Sequence, residues 1–355
     1  MRPSRRAPSR DRLPALPKLE VAVRYEVAGL GNAIVDVLVR IPDDTILGRQ
    51  GLKRGVMHPV DHARWSEIYE DVKELGAEIT AGGSCANTIS ALGLAGRRVT
   101  FCGQVGGDQF GALYRAQMRE ACGEDALHEV RGANTGKCLS LISRSDAERT
   151  LITHLGAATE LPHIGEFAAV IRQSRLLHVT GYLFLGGPMA DAARFALGVA
   201  QEAGVPVSID VADPFVIHAV REEMWRVVRD HASIVFLNAE ESTALTDLPP
   251  ADAIHAVAAH VPTVIVKQGS KGSLVRHHEE LVRVGVHPVE AIDTTGAGDA
   301  YAAGFLYGFI EGWPPAACGD LGSRFASLTV GQIGPVVRDA AALRRAVEHA
   351  RPRHA

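Results

Sequence analysis

The residues best suited to chemistry cluster late in the chain, in Asp293-Thr294-Thr295-Gly296-Ala297-Gly298-Asp299-Ala300. Gly296 and Gly298 let backbone N–H groups converge, and the small, apolar run from Tyr301 to Phe309 predicts a buried helix beginning there. A helix N-terminus carries partial positive charge, so the stretch predicts an anion hole suited to phosphate. Asp299 is what a plain phosphate cradle would lack. Phosphate repels a carboxylate unless that carboxylate acts on another group, such as the proton of an attacking hydroxyl, and this points to phosphoryl transfer. A helix capped after a Gly-rich turn would use the same residues, so the rest of the chain must discriminate.

Other constellations have the same double character. Asn32 and Asp36 are polar within the apolar stretch 25–40 and need partners, either in the fold or in a hydroxyl-rich ligand. Gly82-Gly83-Ser84 enters a predicted helix with Asn87 in its first turns, close enough for a small ligand to touch the loop. Asn238 and Glu241 end a predicted strand and suit a hydrated Mg2+, while an Asn N-cap followed by first-turn acids accounts for them equally. Lys267-Gln268-Gly269-Ser270-Lys271-Gly272 either lets backbone approach a nucleotide or forms an ordinary hairpin turn. Arg149 sits on a predicted hairpin, free to swing onto a phosphate or to remain solvated. His58 and His62 are four apart, but Pro59 spoils a helical zinc pair, and His277-His278 reads as a loop tip.

The elements that must position these residues follow from hydrophobic periodicity. Residues 25–40 read as strand, turn, strand of central character; 61–75 as helix; 98–103 as strand; 109–121 as helix. Gly29-x-Gly31 lacks the third glycine and the helix of a dinucleotide fingerprint, which argues against an NAD enzyme. Residues 137–143 and 149–155 form a hairpin that, with 42–59, predicts a small sheet outside the main layer, able to close over a site. Strands at 176–180, 206–210, 234–237 and 263–267 alternate with helices near 188–203, 214–230, 239–245 and 251–259. That order predicts an α/β fold with a mainly parallel sheet, whose ligands sit beyond the carboxyl ends of the strands.

Composition bounds the function. The 355 residues are 46% hydrophobic and 22% charged, enough for one large core, and a net charge of -4 opposes nucleic-acid binding through a broad basic face. The five cysteines lack a CxxC and indicate neither a disulfide framework nor zinc, so a cytoplasmic protein is expected. No apolar stretch reaches the roughly 18 residues of a membrane span. Residues 1–20 carry six basic and two acidic side chains with four prolines, which predicts a disordered arm; proline at this density opposes a transit-peptide helix. The expected organisation is an arm over 1–24, one domain over 25–345 with a lid from about 40–60 and 132–156, and a tail over 346–355.

Taken together, these residues resemble the PfkB and ribokinase superfamily of carbohydrate kinases from Tyr25 to Gly334, and within it the adenosine-kinase-like branch. Asp293-Thr-Thr-Gly-Ala-Gly-Asp299 is similar to the family's C-terminal signature, Gly82-Gly83-Ser84-x-x-Asn87 to its N-terminal one, and Asn238-x-x-Glu241 to its metal and phosphate motif. Gly31-Asn32-x-x-x-Asp36 and Glu148-Arg149-Thr150-Leu151 resemble adenosine kinases; Ser84 stands where ribokinases typically have lysine, which argues against ribose.

The resemblance implies a ribokinase-like three-layer core with a mainly parallel central sheet flanked by helices, plus a small β-sheet lid. It implies an ATP-dependent kinase with Mg2+, acting on a nucleoside or sugar as monomer or homodimer. Asp299 is then the base, Gly296, Ala297 and Gly298 supply the anion-hole amides, and Arg149 approaches the transferred phosphate. Asp36, Asn32, Gly82, Gly83 and Asn87 bind the acceptor. Asn238, Lys267, Gly269, Gly272, Thr295 and Ser327 bind ATP, Asn238 and Glu241 hold Mg2+ through water, and Asp293 attends a monovalent cation such as K+. The competing expectation is a sensor that binds a nucleoside or sugar without turnover, against which an intact Asp299 speaks.

Overall fold

The computed structural model describes residues 22–146, 148–160 and 165–352. Short runs rich in Val and Ile form the strands. They are β1 (Val27–Leu30), β2 (Ile34–Ile41), β3 (Met57–Pro59), β4 (Ala77–Gly82), β5 (Val99–Gly106), β6 (Ala126–Val130) and β7 (Gly136–Ser143), then β8 (Arg149–His154), β9 (Leu177–Thr180), β10 (Val207–Asp210), β11 (Ala232–Asn238), β12 (Thr263–Lys267), β13 (Ser273–His277) and β14 (Glu280–Val284).

Among the described residues the larger sheet has nine strands in the order β14-β13-β12-β11-β10-β9-β1-β5-β6, parallel from β12 through β6, with β13 and β14 antiparallel at one edge. Helices cover both faces, so central strands are apolar on both. In β11, Ile234 and Phe236 join the apolar cluster containing the helix Ala297–Ile310, while Val235 and Leu237 join the opposite cluster with the helix Gly187–Glu202. Side chains alternate across a strand, and burying each pair on its own side fixes the register. The parallel strands end at one rim, and Asp210, Asn238 and Lys267 are the last residues of β10, β11 and β12.

The second sheet is larger than the sequence predicts: β3-β8-β7-β2-β4, so the lid includes β2 and β4 as well as the segments 40–60 and 132–156. The stretch 25–40, read as two central strands, divides between the sheets. β1 stays in the core, and after Gly31-Asn32-Ala33 the chain crosses to pair β2 parallel to β7 and antiparallel to β4. The alternation of β2 explains this: Val35, Val37, Val39 and Ile41 are fully buried against the helices His62–Val72 and Gln109–Cys122, while Asp36 and Arg40 point to the other face.

The expected tail over 346–355 is corrected as well. The helix Ala340–Ala350 carries Ala346, Val347 and Ala350 into the core, an amphipathic ending that its short length disguised. His277 lies in β13, hydrogen-bonded to Thr263 Oγ1 at 2.9 Å, and is not a loop tip. The expected N-terminal arm lies outside the described residues up to residue 21. No helix among the described residues is long and apolar enough to cross a membrane.

Candidate active site

Asp299 stands in the first turn of the helix Ala297–Ile310, where two parts of the molecule meet. Its carboxylate accepts from Ser84 Oγ at 2.6 Å and Asn87 Nδ2 at 2.9 Å, both on the helix Ser84–Leu94. Thr88 Oγ1 also donates to the Asp299 carbonyl at 3.2 Å, tying the two helix starts together. Burial pushes the Asp299 carboxyl up to about 6, although both side-chain donors favour its ionised form. A carboxylate with that affinity for a proton is suited to a general base near neutral pH.

The turn before it is shaped for an anion. Gly296 has φ +73, and a Cβ there would overlap Pro335. The first helical hydrogen bond runs from Ala300 N to Gly296 O at 2.8 Å, so the preceding amides have no carbonyl a turn behind them. Ala297 N turns back to Thr294 O at 3.2 Å and is the one already engaged among the three expected anion-hole amides.

On one side of Asp299 lies a cavity of about 760 Å³, within the usual range for small-molecule sites. Its apolar end is formed by Val286, Pro288, Val289, Ala326 and Val330; its charged end by Gly296–Asp299, Lys267, Asp210 and Glu241. Asn238, Gly269, Gly272 and Ser327 line it as the sequence predicts, and Ser327 Oγ donates to His287 O at 2.5 Å. Thr295 does not. Its neighbour Thr294 faces the cavity, while the Thr295 hydroxyl meets Arg149 of the lid.

Asn238 and Glu241 form a reciprocal helix cap: Glu241 N donates to Asn238 Oδ1 at 2.8 Å, and Asn238 N to Glu241 Oε2 at 2.7 Å. The cap is thus formed, and both of its residues also line the cavity. Burial raises the Glu241 carboxyl to about 7.

On the other side are the lid residues. Asp36 presses on Gly82 so closely that any Cβ at Gly82 would overlap its carboxylate, and Gly83 packs on the Asn32 carbonyl. Burial raises the Asp36 carboxyl to about 7, against the opposing pull of Arg149. Asn32 Oδ1 and Asn87 Oδ1 are buried without a hydrogen-bond partner among the described residues, two acceptors left open.

Arg149 joins the lid to the signature turn. Its guanidinium pairs with Asp293 and donates to Thr295 Oγ1. Asp293 also accepts from Thr295 N at 2.9 Å and Gly334 N at 3.0 Å; although burial opposes its charge, these donors hold its carboxyl below the usual range.

A family model described as pfkB family carbohydrate kinase matches residues 60–339. The chain belongs to this family. The fold of this pfkB kinase is matched by the adenosine kinase from Sinorhizobium meliloti, 32% identical with a TM-score of 0.82, covering 93% of this chain and 100% of that one. A probable sugar kinase from Rhizobium etli CFN 42 is 28% identical with a TM-score of 0.81, covering 92% and 99%. The adenosine kinase of Saccharomyces cerevisiae is 26% identical over 329 residues, 86% of this chain and 95% of the yeast one.

For this pfkB kinase, two site residues escape sequence reasoning. Asp210 holds Lys267 Nζ at 2.7 Å, and Ser84 holds the Asp299 carboxylate. Asp210 is detectable as a charged residue closing an apolar strand; Ser84 stands in the N-terminal signature, but nothing local names its partner, which is 215 positions away.

Proposed function

We propose that this protein transfers the γ-phosphoryl group of ATP to a primary hydroxyl of a nucleoside, adenosine first among them. The observation that carries this is the place of Asp299, between a nucleotide-sized cavity and the polar residues Asp36 of the lid strand β2, Asn32 just before it and Asn87 of the helix Ser84–Leu94. Adenosine is favoured because the similar Sinorhizobium meliloti and yeast proteins are adenosine kinases. Asp299 takes the proton of the acceptor hydroxyl, the freed oxygen attacks the γ-phosphorus, and the bond to the β-phosphate oxygen breaks to release ADP. Amides ahead of Ala300 donate hydrogen bonds to the equatorial oxygens, where negative charge lies. Asp36 accepts from ribose hydroxyls, and the lid excludes water.

Mg2+ fits the donor set. Asp210, Glu241 and Asp299 surround the charged end with Lys267 as their counter-charge, and a triphosphate needs further positive charge to enter there. No group of three or more metal-ligating side chains occurs among the described residues, so the ion would be held by phosphates and water, with Glu241 and Asn238 as its protein partners. When bound it neutralises charge developing between the β- and γ-phosphates. Potassium at Asp293 fits poorly: the carboxylate already serves two amides and a guanidinium, and no step is routed through it.

An ATP-consumption screen across nucleosides, pentoses and hexoses tests the assignment. Turnover of adenosine well above every sugar is expected; turnover confined to sugars would replace the nucleoside reading, and binding without turnover would make the protein a sensor. Asp36→Ala is expected to raise the acceptor KM by about 10–100-fold, the cost of a lost charged hydrogen bond, with the KM for ATP within about twofold. Equal changes in both would remove Asp36 from the acceptor site. Asp36 becomes protonated below about pH 7 and the base Asp299 below about 6, so kcat/KM is expected to level off above about 7, to fall about tenfold per pH unit just below it and more steeply under pH 6. A profile flat down to pH 5 would contradict a base with this proton affinity.

A further inference from the structure

We propose that Lys267 is the cation that contacts the transferring phosphoryl group, and that Asp210 is a positioning residue which aims it at the anion hole. The inference rests on the ATP-dependent reading above and adds a charged pair to it.

Lys267 ends β12 and Asp210 ends β10, on either side of β11, so their side chains meet across the rim of the sheet. Lys267 Nζ lies 2.7 Å from Asp210 Oδ2, and the other Asp210 oxygen accepts from Ala212 N at 3.1 Å. Ala212 holds a left-handed φ of 79, and it too lines the cavity. The carboxylate is thus clamped by a tight turn on one side and grips the ammonium on the other. The side chains are 15% and 4% exposed, so the remaining accessible part of the lysine is what the cavity sees.

The direction of that exposure is set by Gly298. A Cβ placed there would lie 3.1 Å from Lys267 Nζ, so the ammonium sits directly beside the anion-hole backbone. Among the described residues lining the cavity, Lys267 is the sole Lys or Arg. A buried ammonium is costly unless paired, and Asp210 and Glu241 outweigh that burial and keep Lys267 charged. A structural ion pair would need one carboxylate and no opening to the cavity. This one has a second carboxylate nearby and a free side turned to where phosphate oxygens would lie.

The same pair acts on the base. Groups facing Asp299 are Asp36 from β2, Cys85 with Ser84 and Asn87 from the helix Ser84–Leu94, Tyr182 after β9, Asp210 and Lys267. Of these, Lys267 lowers the proton affinity of Asp299 and Asp210 raises it. Removing each charge therefore has opposite consequences.

The experiment compares Lys267→Met and Asp210→Asn with wild type. Lys267→Met is expected to weaken ATP binding, read by calorimetry, by at least about tenfold and to lower kcat by about 10²-fold, the scale of one lost transition-state donor. Its acidic limb moves up in pH. Asp210→Asn is expected to lower kcat with little loss of ATP affinity, and its limb moves down. Lys267→Arg, retaining the charge, keeps the wild-type limb. Circular dichroism of each variant establishes that it is folded. Unchanged ATP affinity and an unmoved limb in folded Lys267→Met would make the pair a structural counter-ion and overturn the proposal. Failure of wild type to phosphorylate any acceptor would instead overturn the kinase reading, and the calorimetric comparison would still decide whether Lys267 meets ATP.

Discussion

Replacing Asp299 by Asn is expected to lower kcat by about 10²–10⁴-fold, the range for loss of a positioned general base, while ATP affinity stays within a few-fold of wild type. Asn can accept from Asn87 Nδ2 through its Oδ1 and donate from its Nδ2 to Ser84 Oγ, where the carboxylate accepts from both at 2.9 and 2.6 Å, so the helix starts remain joined. What disappears is an acceptor for the hydroxyl proton. The loss therefore falls on turnover and not on binding. Thermal stability should hold or rise, since the replaced carboxyl is raised to about 6 by burial and its ionised form is the costly one near neutral pH. The sign follows from linkage: a carboxyl whose folded value lies above its unfolded one favours folding below that window and opposes it above. Activity and melting temperature of the purified variant check both parts, and turnover within tenfold of wild type would remove Asp299 as the base.

Gly296→Val should be nearly as damaging by a different route. The position needs φ +73, which costs a residue with a Cβ about 1–2 kcal/mol, more when β-branched, and the new side chain must also displace Pro335. Moving Gly296 moves the N-terminus of the helix Ala297–Ile310 and the amides offered to phosphate. A kcat loss of about 10²–10³-fold is expected alongside a lower melting temperature. Gly296→Ala is expected to act in the same direction with a smaller loss, because its Cβ alone already meets Pro335 at the same left-handed φ. If both variants melt as wild type does and turn over normally, the turn is not the anion hole.

The two signature stretches are legible in the sequence because their function is local. An anion hole needs glycines and a helix start within a few residues, and Gly296 to Asp299 supplies both in one turn. The parallel sheet is legible for a similar reason, since each βα unit carries its own periodicity. The hairpin of β7 and β8 is also legible, but its sheet is not: β2 reads as a central strand because one of its faces is as apolar as theirs, and only its pairing partners show where it belongs.

The sequence by itself determined the chemistry on offer: a carboxylate at a helix start, glycines for phosphate, and polar residues at strand ends. Tertiary structure decided who holds whom. Ser84 and Asn87 reach Asp299 across 215 and 212 positions, Asp210 grips Lys267 across 57, and Arg149 of the lid pairs with Asp293. Such partners are chosen by the order of strands in a sheet and by the packing of helix ends, which depend on the whole core and leave no trace in the spacing of the residues they join.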